Sequence, residues 1–491
     1  MITKKYINNT KYNKRRKKHR RKKTIRKKGG KAIDAGSYGC VFDPPLKCAN
    51  NSIPYNKNYI SKLMYTKDTL SEVDEIDKIK KIVEKIPNQE NYFIISNTYS
   101  CNPEKLQEED LSNFDKKCKL FTKRGINKTN VNTNENLKKL SIIVMPNGGI
   151  NIDKYIYNLL QLTHQDMYKK FKLLNNSLIN LLLYGIVPMN TMMFNHYDIK
   201  AQNIVFSEND GFARLIDWGL SGKSDGIHIP EELKDRSIAF NMPYSDIFFN
   251  LFVNNWLPTM FYKIKSSIQF SNAKTGQNEL LKVVAVTMIN KSIEETGEGH
   301  YGYIIENILH NIYKIYSSYH INSTTLDYNV LSYNTIIDYV HAVLIKYVDE
   351  KGNFNDTKYF YEVFQKNVDI WGLLMVYLPV IEFYTMDDNE LNKFNIDIIN
   401  AICRILLKYC FSTEFAIKPI NINELVIELQ SISTIIDEII IKSPKPTQLV
   451  SIKKPSRQKS LKSFNTKEDK KSYKPYSNSR SYINNNLALD E

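Results

Sequence analysis

Residues 196 to 219 constrain this chain more than any other stretch. His196-Tyr197-Asp198-Ile199-Lys200-Ala201-Gln202-Asn203 leads into the apolar run Ile204-Val205-Phe206, and Arg214-Leu215-Ile216-Asp217-Trp218-Gly219 follows. The two apolar runs predict a short hairpin with Glu208-Asn209-Asp210-Gly211 at its turn. That geometry gathers Asp198, Lys200, Asn203 and Asp217 on loops at one end of the hairpin. Phosphoryl transfer asks for such a set: a carboxylate near the attacking hydroxyl, a cation by the moving phosphoryl group, and oxygen ligands for Mg²⁺.

The stretch resembles the catalytic loop and the metal-binding Asp-Phe-Gly motif of eukaryotic-type protein kinases. Upstream, Ile33-Asp34-Ala35-Gly36-Ser37-Tyr38-Gly39-Cys40-Val41 reads as strand, glycine turn, strand. It resembles the kinase Gly-rich loop, with Asp34 at the first glycine position. Tyr59-Ile60-Ser61-Lys62-Leu63-Met64 is a strand with Lys62 where the family has its nucleotide-anchoring lysine. Taken alone, two glycines also suit an ordinary hairpin, and Lys62 a surface position. A helix with apolar residues at Val73, Ile76, Ile79, Ile82, Val83 and Ile86 follows. It resembles the regulatory helix whose glutamate pairs with that lysine. Glu75 is the favoured partner, with Glu72 one turn away.

Leu140 to Met145 reads as a buried strand, and Pro146-Asn147-Gly148-Gly149 resembles the hinge between kinase lobes. Val368-Asp369-Ile370-Trp371 resembles the central helix of the large lobe, where Asp369 would brace the catalytic loop. The resemblance therefore implies an α+β, two-lobed protein-kinase-like fold: a small β-rich N-lobe and a large helical C-lobe with a long helical insertion. The expected organisation is a basic arm at 1–29, a kinase domain at 30–442 and a Ser/Lys-rich tail at 443–491. Within the domain, the N-lobe takes about 30–146, the C-lobe about 147–442 and the insertion about 250–360.

By the same resemblance, Asp198 is the general base and Lys200 neutralises the transferred phosphoryl group. Asn203 and Asp217 hold Mg²⁺. ATP lies against Ile33 to Val41 and Lys62, with Glu75 supporting the lysine. The substrates are protein serines and threonines. The combined motifs most resemble the serine/threonine kinases of giant (mimivirus-type) DNA viruses. This implies an intracellular protein, in host cytoplasm or nucleus or packaged in a virion. Three departures stand out: Tyr197 replaces the usual arginine, Trp218 a phenylalanine and Asp34 a glycine. None touches the reacting atoms, which favours an active enzyme. A pseudokinase scaffold and a small-molecule kinase remain the alternatives. With no cation at 197 to receive a phosphate, Ser221, Ser224 and Ser237 are not expected to need phosphorylation. The insertion or a partner would order the segment after Gly219 instead.

Charge sharpens this organisation. Residues 1–28 hold fifteen Lys or Arg and no acid, and the tail from Ser443 has eleven basic against four acidic residues. The formal charge of +16 therefore sits at the two ends, and the middle is mildly acidic. Such flanks predict disorder and, for the arm, targeting or phosphate contacts with nucleic acid. The longest apolar run, Ile370 to Ile381, is shorter than the roughly 18 residues of a membrane span. Six cysteines with no CxxC pair predict free thiols in a reducing compartment.

Overall fold

The first third of the chain builds a five-stranded antiparallel sheet. Its strands are β1 (Lys31–Ala35), β2 (Gly39–Asp43), β3 (Tyr59–Tyr65), β4 (Tyr99–Cys101) and β5 (Leu140–Pro146), in the order β1-β2-β3-β5-β4. The computed structural model describes residues 31–35, 39–49, 56, 58–267, 273–320, 326–385 and 393–442. The basic arm, the tail beyond 442 and Gly36, Ser37 and Tyr38 lie outside the described residues.

Register decides what each face carries, because residues directly opposite one another share a face. Cys40 lies opposite Leu63, and Leu63 opposite Ile142. These three join Phe42 and Val144 in a dry layer against Leu106, Phe114, Phe121, Ile126 and Val131. The polar stretch 100–138 is thus a cover of short helices over one face of the sheet. Each fully buried phenylalanine in it contributes about 2 kcal/mol. Val41 lies opposite Lys62 and Lys62 opposite Ile143, on the other face.

Two disulfides staple this cover: Cys40–Cys118 and Cys48–Cys101, with Cα separations of 5.3 and 5.7 Å. The expectation of free thiols holds only for Cys403 and Cys410, both buried. The bonded pairs are 78 and 53 residues apart, so no local spacing marks them.

Helix α1 (Thr66–Val83) follows β3 directly and buries Thr69, Ile79 and Val83. Beyond it, Leu215 accepts a hydrogen bond from the Ile94 amide at 3.1 Å and donates one to the Tyr92 carbonyl at 2.8 Å. This joins the sheet region to the hairpin. The chain then becomes mainly helical. After β6 (Ile150–Asn151) come α2 (Ile152–Leu159) and α3 (His164–Leu181). The short strands β7 (Phe194–Asn195), β8 (Ile204–Ser207), β9 (Phe212–Leu215) and β10 (Gly222–Lys223) frame the central loops. Next are α4 (Leu251–Ser267), α5 (Ala273–Thr296), α6 (His310–His320) and α7 (Tyr328–Tyr347). The stretches read as helical from periodicity, Tyr303 to Tyr319 and Thr335 to Tyr347, fall on helical backbone.

Helix α8 (Gln365–Met375) is buried along nearly all its length; α9 (Ile396–Tyr409) packs against it, and α10 (Ile422–Lys442) packs against α9 and α3. The continuous helical run Asp356–Thr385 is long and apolar enough to cross a membrane. However, 78% of its apolar window is buried inside the protein, and its apolar surface serves the core.

Candidate active site

The hairpin forms as its sequence predicts: β8 pairs with β9 from Ile204↔Leu215 to Ser207↔Phe212. Its base is closed by the Ile216 amide donating to the Asn203 carbonyl at 3.0 Å. That bond holds the loop of Asp198 and the turn of Asp217 side by side.

Asp198 is the centre of a dense polar cluster. Lys200 Nζ reaches both its carboxylate oxygens at 2.9 Å. Asn203 Nδ2 donates to Oδ2 at 2.8 Å and to the Asp198 carbonyl at 2.9 Å. Asn241 Nδ2 donates to Oδ1 at 2.9 Å. Three donors thus fix one carboxylate rotamer, and its side chain keeps 13% of its surface exposed. Asn241 was not singled out from the sequence, where nothing local links it to residue 198.

The backbone of this loop is braced from below. Asp369, fully inside α8, accepts from the His196 amide and Asn195 Nδ2 through Oδ2, each at 3.0 Å. Its Oδ1 accepts from the Tyr197 amide at 3.0 Å. Burial pushes the Asp369 carboxyl above its ordinary value, while His196 and these donors pull it back. The brace is needed because Tyr197 has a left-handed φ of +56°, a conformation costly for an aromatic residue. Tyr197 itself is buried against Gly222. Trp218 is packed by Phe93, Phe194 and His196, with ring centroids 5.4, 6.2 and 4.9 Å away.

Asp217 is exposed and also left-handed, with φ +64°. Asn203 has committed its amide nitrogen to Asp198, which leaves Oδ1 as an acceptor. A carboxylate and an amide oxygen are hard ligands of the kind that would suit Mg²⁺. Among the described residues no group of three or more His, Cys, Asp or Glu could hold a metal by itself.

On the sheet, Lys62 Nζ contacts Glu72 Oε1 at 2.8 Å and Oε2 at 2.7 Å. The expected partner, Glu75, is not the one. Helical phase explains the correction: Thr69, Glu72, Ile76, Ile79 and Val83 form one stripe toward the sheet, and Glu75 falls off its edge. Glu75 is exposed, and its carboxyl is raised first by desolvation and then by Glu72. A stricter reading of that stripe would have selected Glu72.

The expected nucleotide strip divides. Val41 shares its face with Lys62, but Cys40 points to the opposite face and is bonded to Cys118, so its side chain cannot touch a ligand beside Lys62. Ile33, Asp34 and Ala35 lie on β1, where the register shifts between Ala32 and Asp34 and Ile33 is the exposed extra residue. Gly36, Ser37 and Tyr38 are outside the described residues. Gly39 must be glycine, because a Cβ there would sit 2.7 Å from the Leu63 carbonyl oxygen. In the segment resembling a hinge, the Asn147 amide is already taken by the Asn58 carbonyl at 2.8 Å.

The residues read as phosphate acceptors are all engaged or covered. Ser221 Oγ donates to the Trp218 carbonyl, Ser224 is buried, and Ser237 Oγ donates to the Thr296 carbonyl. Compared with known proteins, the chain matches no protein-family model and no curated protein sequence.

Proposed function

We propose that this protein is an ATP-dependent serine/threonine protein kinase, with the sheet region as N-lobe and the helical region as C-lobe of a kinase-like fold. The observation that carries the reading is the cluster at Asp198: one carboxylate oriented by a lysine and two asparagines, on a loop joined to the turn of Asp217. The bidentate Lys62–Glu72 pair supports it from the sheet side, since a lysine so held can anchor the α- and β-phosphates.

In this reading Asp198 orients the acceptor hydroxyl and takes its proton as the oxygen bonds to the γ-phosphorus and the bond to ADP breaks. Lys200 offsets the negative charge on the transferred group. Asn203 and Asp217 are the residues that would hold Mg²⁺, which supplies charge neutralisation of the phosphates when bound. The spacing of Lys200, two positions after the base and in contact with it, favours protein acceptors over small molecules.

The test is incubation of the full chain with γ-labelled ATP, Mg²⁺ and basic or acidic general protein acceptors, beside the Asp198→Asn variant. Label on serine or threonine that disappears in the variant supports the reading. Nucleotide binding without transfer would replace it with a pseudokinase, and transfer only to small alcohols with a small-molecule kinase.

A further inference from the structure

The stretch from Glu231 to Asn250 links the Asp217 turn to α4, and it is held by the helical insertion. The His300 amide donates to the Ile238 carbonyl at 2.8 Å. This close approach needs Gly299, which has φ +56° and whose Cβ, if present, would lie 2.4 Å from that same oxygen. Ser237 Oγ donates to the Thr296 carbonyl one turn away. The Phe240 ring lies against His300 and Tyr303, at 5.2 and 5.9 Å between centroids. Below, Trp371 Nε1 donates to the Phe240 carbonyl at 3.1 Å.

Between these contacts Arg236 turns back toward the catalytic loop. Its Nη1 donates to the Tyr197 carbonyl at 3.0 Å. Tyr197 is therefore held through both of its backbone polar groups, the amide by Asp369 and the carbonyl by Arg236. The residue it precedes is Asp198. His300 lies within electrostatic reach of both Lys200 and Asp198.

We propose that Arg236 is a positioning residue for Asp198, and that the insertion corner at Thr296, Gly299 and His300 is a built-in activator that keeps Arg236 in place without phosphorylation. The proposal rests on the kinase reading. A phosphorylated segment gains order by bringing an anion to a cation of the catalytic loop. Here the cation is on the segment and its acceptor is a backbone carbonyl of the loop, so the contact forms between groups that the unmodified chain already carries. No phosphate is needed to make it.

The experiment compares the full chain with Arg236→Ala, Arg236→Lys and Gly299→Ala, before and after phosphatase treatment. It reads kcat and KM for ATP together with hydrogen exchange over residues 231–250. Phosphatase should change nothing in the starting protein. Arg236→Ala should lower kcat about 10- to 100-fold, the size of losing one charged hydrogen bond, with KM for ATP within about twofold. Arg236→Lys should restore most of the loss, because an ammonium can donate to the same carbonyl. Gly299→Ala should speed exchange in 231–250 and lower kcat similarly, while exchange in the sheet and α8 stays put. If Gly299→Ala does not fold, the alanine and lysine variants at 236 decide alone. An unchanged kcat in Arg236→Ala, no rescue by lysine, or activity that needs phosphate on the segment would each overturn the proposal and leave the kinase reading standing. A starting protein with no transfer activity overturns the kinase reading and this proposal with it.

Discussion

Asn241 donates its side-chain amide to Oδ1 of Asp198 across 43 residues of chain, and also to the Ile199 carbonyl at 3.3 Å. The Asp198 carboxylate is thus oriented from both its own loop and the downstream segment. Order in the downstream segment and the orientation of Asp198 are consequently coupled, and on the proposed kinase reading that coupling reaches the reaction itself. Asp198→Asn should abolish transfer, by about 10²- to 10⁴-fold, and leave nucleotide binding intact. Asn241→Ala should cost about 10- to 100-fold in kcat, since a hydrogen bond to a charged group is lost. Steady-state kinetics with nucleotide binding measured separately checks both. Near-normal transfer by Asp198→Asn would end the catalytic assignment.

Glu72 and Glu75 make a discriminating pair. Glu72→Gln should reduce kcat/KM for ATP by about tenfold or more, because the bidentate contact with Lys62 loses its charge. Glu75→Gln should stay within about twofold, as expected for an exposed carboxylate. Equal effects of the two substitutions would contradict the helical phase described above.

The two bridges of the sheet cover have a chemical readout. Alkylation of the denatured, unreduced protein should modify only Cys403 and Cys410. Removing the Cys40–Cys118 bridge by serine substitution at both positions should lower stability by about 2–4 kcal/mol, measured by denaturant unfolding. Alkylation of all six cysteines without reductant would show that the bridges do not form in the isolated protein.

Asp246 predicts a pH dependence. It is fully buried in the segment that Arg236 anchors, and desolvation pushes its carboxyl up to about 7, against the pull of Arg236 and the Ile247 amide. Between its unfolded value of about 4 and the folded value, the native state holds a proton that the unfolded chain has released. Stability from this group is therefore greatest at the acid end and falls as pH rises to about 7, by about 1.4 kcal/mol per pH unit at most. Asp246→Asn should remove that slope, so the variant gains on the starting protein more at pH 8 than at pH 5. Parallel unfolding curves at the two pH values would show an identical difference if the carboxyl titrates normally.

What the sequence determined by itself was local. The spacing of Asp198, Lys200 and Asn203 and the apolar runs at 204–206 and 215–216 were enough to place those groups at the end of a hairpin. Bonds between neighbours in sequence made it so: β8 with β9, and Ile216 with Asn203. The α+β character and the periodic helices of the insertion were legible for the same reason. Tertiary structure decided the partners. Glu72 displaced Glu75 because each step along a helix turns a side chain by about 100°, and only packing against β3 sets the phase. Cys40 turned away from Lys62 because adjacent strand residues face opposite sides, and its bond to Cys118 required the 100–138 cover to fold onto that face. Asn241 and Arg236 meet the loop of Asp198 because the insertion and Trp371 together hold their segment in place. Contacts between groups tens of residues apart have no signature in spacing, since they exist only once the intervening elements have packed.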